Sequence, residues 1–224
     1  MKKPLKDRAE AGRLLADRLS GYANREDVLV LALPRGGVPV AFEIARKLNA
    51  PLDVFVVRKL GVPWYQELAM GAIATGGIRV LNYDVVKAYG LTDDEIALAE
   101  VKEKRELERR ERAYRGERAA PEVRGRTVIL VDNGVATGTT ILAAIAALRK
   151  LRPACIIVAV AVAPLSTYEQ LQSEADEVIC LYVPETFTAV SRWYENFEQT
   201  TDEEVRNLLA RALDQKTAFA SILG

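Results

Sequence analysis

Apolar runs alternate along the chain with segments of helical periodicity. The first run, 28–33, contains only Val, Leu and Ala, and further largely apolar runs cover 53–58, 127–131, 155–163 and 177–183. A strand that is covered on both faces has this nearly continuous apolar pattern, which is typical of parallel sheets packed between helices. The alternation therefore predicts an α/β fold built on a doubly wound parallel sheet.

The segments between the apolar runs predict helices. They cover 5–19, 38–48, 92–115, 139–151 and 165–175, and a final helix is capped by Thr201. Asp7 and Arg8 in the first helix are interpreted as a solvated pair, with a contact at the rim of a site as the alternative. The 92–115 helix is highly charged and has a thin apolar stripe, so we expect it to lie on an edge of the core.

Between the second strand and the long charged helix, turn signals dominate. Residues 71–81 predict a hairpin around Thr75-Gly76-Gly77-Ile78. Residues 58–67 contain Gly61 and Pro63 and are predicted to form a loop. The two aromatic residues of that loop, Trp64 and Tyr65, either form a binding surface or pack against the core.

The length of 224 residues suits one domain with elaborations. We expect a single domain over 1–224 with a core at about 28–185. Helical and peripheral elements at 1–27, 83–120 and 186–224 are predicted to form a hood over the core or an oligomer contact.

Composition narrows the possible chemistry. Lys+Arg and Asp+Glu both number 31, so nothing points to nucleic acid or to an anionic membrane. Neither a membrane span nor a signal peptide is recognisable, which predicts a cytoplasmic protein. The chain contains no histidine, and Cys155 and Cys180 are interpreted as buried thiols. Carboxylates, Lys, Arg, Tyr, backbone dipoles or a metal carried by the substrate must therefore supply any chemistry.

Two predicted strands run directly into loops that suit anions. The strand at 127–131 is followed by Asp132, by a Gly/Thr loop ending at Thr140, and by a helix N-terminus. The first strand is followed by Pro34-Arg35-Gly36-Gly37 and another helix. Free backbone N–H groups and the positive end of a helix dipole bind phosphate, and glycine lets a ligand approach the backbone. Taken alone, each loop is also compatible with an ordinary glycine turn.

The 127–140 stretch resembles the phosphoribosyl-diphosphate (PRPP) signature of type I phosphoribosyltransferases: apolar residues, two acidic positions, then a small Thr/Gly loop. The resemblance implies that Asp132 and Asn133 face the ribose hydroxyls. The 5-phosphate would be held by Ala136, Thr137, Gly138, Thr139 and Thr140. The second acidic position is occupied by Asn133, which departs from the family pattern.

The same resemblance assigns the remaining site residues. Pyrophosphate would be bound by Arg35, Gly36, Gly37 and Arg58, with Lys59 as a catalytic residue on a loop that closes over the diphosphate. Phe187 and Trp193 are candidates for stacking on the acceptor, and packing in the core is the equal alternative. Mg²⁺ is the implied cofactor, bound mainly through PRPP and water, with Asp132 as the one candidate protein ligand.

The implied reaction is transfer of 5-phosphoribosyl from PRPP to a nitrogen acceptor, expected to be a nucleobase, with release of pyrophosphate. Replacement of a charged hydrogen-bonding group by Asn133 costs about 1 kcal/mol. This keeps open a second hypothesis, a PRPP-binding regulatory module with weak or no catalysis. A third is a general binder of nucleotides or sugar phosphates. The family resemblance also implies a homodimer.

Overall fold

The computed structural model describes residues 4–223 and contains a five-stranded parallel sheet. Its strands are β1 (Val28–Ala32), β2 (Leu52–Val54), β6 (Thr127–Asp132), β7 (Cys155–Val162) and β8 (Glu177–Tyr182), in the order β2-β1-β6-β7-β8. Every pair of neighbours is parallel. This sheet confirms the predicted α/β class, and all of its predicted strands except 53–58 are recovered within one or two residues.

Helices cover both faces of the sheet. α1 (Arg8–Arg18), α2 (Gly37–Leu48) and α7 (Asp202–Leu223) lie on the face that Val30 and Ile129 point towards. α5 (Thr139–Lys150) and α6 (Leu165–Glu174) lie on the face of Leu31 and Leu130. Alternate residues of each central strand are thus buried in two separate clusters, which explains why these strands are apolar throughout. The doubly wound arrangement is confirmed.

A second, antiparallel sheet contains β3 (Val57–Val62), β4 (Tyr65–Ala74) and β5 (Ile78–Leu81). The prediction of one strand over 53–58 is therefore wrong, because the chain leaves the main sheet after β2. Thr75 instead satisfies both backbone groups of Val56. The Thr75 N–H donates to the Val56 carbonyl, and Thr75 Oγ1 accepts from the Val56 N–H, both at 2.9 Å. The continuous apolar run conceals this change of sheet.

The prediction of a loop over 58–67 is also wrong, because most of this segment forms the β3–β4 hairpin. Only the turn at Pro63 and Trp64 lies outside the strands. Trp64 is 59% exposed and Tyr65 is 54% exposed, so neither packs in the core. The predicted 71–81 hairpin is confirmed as β4–β5, whose turn has Gly76 and Gly77 at φ 82° and 72°.

Two helices connect the second sheet to β6. α3 spans Tyr83–Ala88 and α4 spans Asp93–Arg115, and a capping box of Thr92 and Glu95 begins α4. At the other end of α4, Arg115 is buried and its Nε donates to Asp53 Oδ1 at 2.9 Å. α4 thereby contacts the edge of the main sheet as well as β3 and β4.

Cys155 and Cys180 are both free thiols and partly buried, in line with their interpretation from sequence. Among the described residues, no helix combines the length and the apolar character that crossing a membrane requires. The assignment of 1–224 to a single domain stays a prediction.

Candidate active site

The loop after β6 presents unpaired backbone donors at the start of α5. In the described part of the chain, the N–H groups of residues 136–141 donate no hydrogen bond to another protein group. Ala136, Thr137, Thr139 and Thr140 are exposed, and the Oγ1 atoms of Thr137 and Thr139 lie 3.1 Å apart. Free N–H groups, hydroxyls and a helix N-terminus at one place form an anion-binding site.

The loop after β6 is fixed by contacts with Thr167 of α6. Thr167 in α6 donates from Oγ1 to the Ala136 carbonyl at 2.7 Å. Gly138 has φ 73°, and a Cβ atom there would lie 2.8 Å from Thr167 Cγ2. A side chain at position 138 would therefore be strained and crowded at once, so glycine is required.

The loop after β1 lies directly beside the strand that carries the first loop. Leu33 N donates to the Val131 carbonyl at 2.9 Å, and a Cβ on Gly37 would lie 2.6 Å from that same oxygen. The backbone N–H groups of Arg35 and Gly36 donate no hydrogen bond within the described chain. The Pro34–Arg35 peptide bond is cis. The two predicted anion loops thus stand side by side at the carboxyl ends of adjacent strands, where such sheets bind ligands.

Asp132, at the end of β6, is a half-buried carboxylate between these loops. It accepts a hydrogen bond from the Asn133 backbone N–H at 2.7 Å. Burial raises the pKa of Asp132 to about 7, against smaller opposing effects of that hydrogen bond and of the charge on Arg8. A carboxylate that titrates near neutrality at the mouth of a site is a candidate functional group.

The Asn133 side chain is buried beside Asp132, and its predicted role at the ribose stays a prediction. It is 9% exposed, and its side chain packs under Gly36, where a Cβ atom would lie 2.9 Å from the amide. The amide orientation that satisfies both neighbours donates from nitrogen to Asp132 Oδ1 at 2.9 Å and accepts from Arg8 Nε at 3.2 Å. Its backbone carbonyl accepts from the Tyr194 hydroxyl.

A cleft of about 540 Å³ opens between the loop after β6, here called the Thr loop (136–140), and the second sheet. Lys59 lines it together with Thr137, Thr139 and Thr140, and Lys59 Nζ lies 3.6 Å from Glu67 Oε2. The structure therefore places Lys59 across the cleft from the Thr loop, whereas the family resemblance assigned it to a loop over the diphosphate, and its catalytic role stays a prediction. Glu67 and Asn82 also line the cleft, and the rest of its wall is formed by small and apolar residues of the second sheet and α5: Val57, Ala69, Gly71, Ala72, Val80, Leu81 and Ala143.

The two arginines predicted to bind pyrophosphate each pair with an acidic residue. Arg58 alternates with Lys59 along β3 and points to α4, where its Nη2 lies 2.6 Å from Glu103 Oε2. The structure does not bring Arg58 to the cleft, and its assignment to the pyrophosphate stays a prediction that this ion pair does not support. Arg35 stays beside its loop, with Nη1 3.7 Å from Asp202 Oδ1 at the start of α7.

The two candidate acceptor residues differ in their surroundings. Trp193 is half-buried and stacks on Tyr182 with ring centroids 5.3 Å apart, which favours the packing interpretation. Phe187 is half-buried in the segment after β8. Neither lines the cleft beside the Thr loop.

Sequence reasoning offered a contact of Arg8 at the rim of a site only as an alternative, and it missed the contacts made by Thr167 and Asp202. Arg8 and Tyr194 reach Asn133 from the two ends of the described chain, and Asp202 reaches Arg35 from α7. The polar character of Thr167 in a buried position is the one signal that could have indicated its support of the loop. For the others the sequence offers no spacing rule, because the contacts join distant segments.

A family model for the phosphoribosyl transferase domain matches residues 5–196. The chain belongs to this family. Two curated proteins of Mycobacterium tuberculosis, from strains CDC 1551 and H37Rv, are each named "Putative phosphoribosyl transferase" and are 47% identical over 206 residues. The similarity covers 92% of this chain and 46% of theirs, so the chain spans about half the length of these relatives.

A solved structure is similar over nearly the whole chain. The crystal structure of TT1426 from Thermus thermophilus superposes with a TM-score of 0.84 at 39% sequence identity, and the similarity covers 93% of this chain and 98% of that one. The range matched by the phosphoribosyl transferase domain includes both loops, Asp132 and Arg8. Asp202, which pairs with Arg35, lies beyond it.

Proposed function

We propose that this chain is a phosphoribosyltransferase that moves the 5-phosphoribosyl group of PRPP to a nitrogen acceptor and releases pyrophosphate. The observation that carries the proposal is the adjacency of two unpaired anion loops, at the ends of β1 and β6, with a carboxylate between them. PRPP has a phosphate at one end, a diphosphate at the other and ribose hydroxyls between. The membership of the family supports the same reaction.

The described contacts support a division of roles. The N–H groups of 136–141 and the Thr hydroxyls bind the 5-phosphate. Asp132 accepts hydrogen bonds from the ribose hydroxyls. The free N–H groups of Arg35 and Gly36, with the Arg35 guanidinium, bind the diphosphate. Lys59, across the cleft from the Thr loop, adds positive charge when substrate is bound.

The reacting sugar acquires positive charge as pyrophosphate leaves, so the chain must stabilise opposite charges at two places. Asp132 offsets positive charge on the ribose, and the 34–37 loop stabilises negative charge on the diphosphate. Closure of the β3–β4 hairpin would exclude water from the sugar. No protein nucleophile is needed, which suits a chain without histidine and with cysteines whose pKa values burial raises.

Mg²⁺ is compatible with the donor set. Mg²⁺ is usually held by one or two carboxylates together with substrate phosphates, and Asp132 supplies one half-buried carboxylate at the right edge of the sheet. When bound, the ion would neutralise charge on the diphosphate. The described residues contain no cluster of three or more acidic or cysteine side chains that could hold it alone.

One observation favours a second candidate function. Asn133 is an uncharged amide buried under Gly36, so Asp132 is the single acidic residue at the two acidic positions of the motif. A PRPP-binding regulatory module with weak catalysis accommodates this arrangement. The nucleobase class of the acceptor, a homodimer and a cytoplasmic location stay predictions.

Calorimetric titration with PRPP and with ribose 5-phosphate, both in Mg²⁺, tests the proposal. Asp132→Ala should weaken both ligands, because both contain the ribose hydroxyls. Arg35→Ala should weaken PRPP by about tenfold and ribose 5-phosphate little, since only PRPP has a diphosphate. Asp94→Ala and Arg13→Ala, both on exposed helix positions, are the matched controls.

Equal losses for the two ligands in Arg35→Ala would contradict the assignment of the loops, and absence of PRPP binding by the native chain would refute the function. Pyrophosphate release across a panel of free bases then separates the two candidates. Release with one base identifies the transferase, and saturable binding without release across the panel identifies the regulatory module.

A further inference from the structure

The loop after β6 is attached to β7 and α6 through two consecutive residues. Val135 N donates to the Val162 carbonyl at the end of β7, at 2.9 Å. The Ala136 carbonyl accepts from Thr167 Oγ1, in the first turn of α6, at 2.7 Å. Both contacts lie directly before the exposed threonines of the Thr loop, so they fix the point at which the anion site begins.

The Thr167 hydroxyl bonds the loop and not its own helix. Thr167 is 4% exposed, and a buried hydroxyl costs free energy unless it is hydrogen-bonded. A helical threonine commonly directs its hydroxyl to a carbonyl of the preceding turn. A hydroxyl has one hydrogen to donate, and Thr167 donates it to Ala136, 31 residues away in the sequence. The contact therefore determines how the Ala136 carbonyl is oriented.

The Ala136 carbonyl and the Thr137 N–H belong to the same peptide unit. That unit is trans, because the Pro34–Arg35 bond is the one cis peptide bond in the described chain. The C=O and N–H groups of a trans unit lie in one plane and point in opposite directions. With its carbonyl held towards α6, the unit points the Thr137 N–H away from α6. Thr137 is exposed there, lines the cleft, and has no protein partner for this N–H.

The orientation of this one peptide unit decides which end of its dipole a bound phosphate meets. Rotation of the unit would replace a donor by a carbonyl oxygen, which repels an anion. The hydrogen bond from Thr167 opposes that rotation, and it also polarises the peptide so that the Thr137 N–H becomes a stronger donor. Gly138 leaves room for the threonine, since a Cβ atom there would lie 2.8 Å from Thr167 Cγ2.

We propose that Thr167 is a positioning residue for the 5-phosphate: its hydroxyl holds the Ala136 carbonyl and thereby directs the Thr137 N–H at the phosphate. The proposal rests on the proposed function for the identity of the sugar phosphate. Thr167 is buried, and its hydroxyl hydrogen is donated to Ala136, so it contacts no ligand and is not a catalytic residue. Its effect is confined to the phosphate end of the ligand.

The first measurement follows the Thr137 amide by proton–nitrogen NMR during titration with inorganic phosphate. In the native chain the amide proton should shift downfield and saturate. Thr167→Val keeps the shape and removes the hydroxyl, so it should reduce this shift and weaken phosphate binding about fivefold. Thr167→Ser keeps the hydroxyl and should behave like the native chain. Ser173→Ala is the control, because its hydroxyl donates to the Gln170 carbonyl within the same helix.

The second measurement compares the two ends of the ligand. Calorimetry in Mg²⁺ should show PRPP and ribose 5-phosphate weakened about fivefold and equally in Thr167→Val, since both contain the 5-phosphate. Binding of inorganic pyrophosphate, followed at the Gly36 amide, should stay unchanged. A merely structural role of Thr167 would weaken the site at Gly36 as well and would not single out the Thr137 amide.

The outcomes separate this proposal from the proposed function. An unchanged Thr137 shift and an unchanged ribose 5-phosphate affinity in Thr167→Val overturn the role of Thr167, and so do equal losses at Thr137 and Gly36. A chain that binds ribose 5-phosphate in a Thr167-dependent way, but neither binds PRPP nor releases pyrophosphate, refutes the transferase and leaves the role of Thr167 standing. If Thr167→Val unfolds, Thr167→Ser and Thr167→Ala still decide, because they differ only in the hydroxyl.

Discussion

At the scale of single residues, burial of the Asp132 carboxyl lowers the free energy of unfolding once that group is ionised. Its folded-state pKa of about 7 lies above its ordinary value of 3.8. The folded chain therefore binds this proton more tightly than the unfolded chain does. The contribution of protonated Asp132 to the free energy of unfolding is fully present below pH 3.8 and is lost as the pH rises to 7. The ionised carboxylate therefore destabilises the ligand-free fold above that pH.

Asp132→Asn should consequently raise the free energy of unfolding, by up to about 4 kcal/mol more at pH 8 than at pH 4. The amide keeps an oxygen that can accept from the Asn133 N–H, so the loop geometry should survive. Urea unfolding at the two pH values measures the effect, with the exposed Asp94→Asn as control. The same variant should lose PRPP binding, and a variant less stable at pH 8 than the native chain would contradict this account.

The residue scale is also where sequence reasoning was least complete. Asp132 and Asn133 are neighbours in the motif, but successive residues at the end of a strand point to opposite sides. The motif therefore could not tell which of the two side chains turns inward. Arg8 contacts Asn133 from α1, which is distant in the sequence, and no sequence spacing indicates such a contact.

At the scale of elements, α7 closes a contact with the loop after β1. Asp202 begins this helix, lies 3.7 Å from Arg35 and accepts from the Tyr114 hydroxyl at 2.7 Å. A diphosphate bound by the 34–37 loop would compete with Asp202 for the same guanidinium. The Asp202 contact thus opposes binding of the anion that Arg35 is proposed to hold.

Asp202→Asn should strengthen PRPP binding about two- to fivefold, the range expected for a partly exposed ion pair. It should leave ribose 5-phosphate unchanged. Asparagine can still accept from Tyr114, so the contact between α4 and α7 is retained. Calorimetry with both ligands is the measurement, and Glu203→Gln on the exposed side of the same turn is the control. An equal gain for both ligands would show that Asp202 acts on the site as a whole.

The elements themselves were largely predictable, because periodicity and caps report local structure. The strand–loop–helix units at 28–48 and 127–150 follow directly from apolar runs and glycine positions. The run at 53–58 failed because burial alone makes a strand apolar, and Phe55 and Val56 are buried between two sheets instead of inside one. The apolar pattern does not indicate the strand order that brings β1 beside β6, because that pairing joins distant segments.

At the scale of the whole molecule, α4 couples the second sheet to the main sheet. The Arg115 side chain is 3% exposed and bonds Asp53 Oδ1, the Val54 carbonyl at 2.7 Å and Glu111. Removal of one partner from such a cluster leaves the others buried without compensation. The Arg58–Glu103 pair adds a second, more exposed contact between α4 and β3.

Arg115→Met should lower the free energy of unfolding by about 3 kcal/mol, since it strands Asp53 in a buried position. Arg112→Met removes an exposed arginine from the preceding turn and should cost far less. Thermal unfolding followed by circular dichroism compares the two. Similar losses in both variants would mean that the buried pair contributes little to the association of the two sheets.

Trp64 and Trp193 are the two tryptophans of the chain, and their surroundings differ sharply. Trp64 stands on the hairpin tip in contact with solvent, while Trp193 is stacked on Tyr182 far from that tip in the sequence. Replacement of Trp193 by phenylalanine would leave one indole at the end of the element that would cover the sugar. Its emission spectrum would then report the approach of the hairpin to the phosphate loop, without any attached dye.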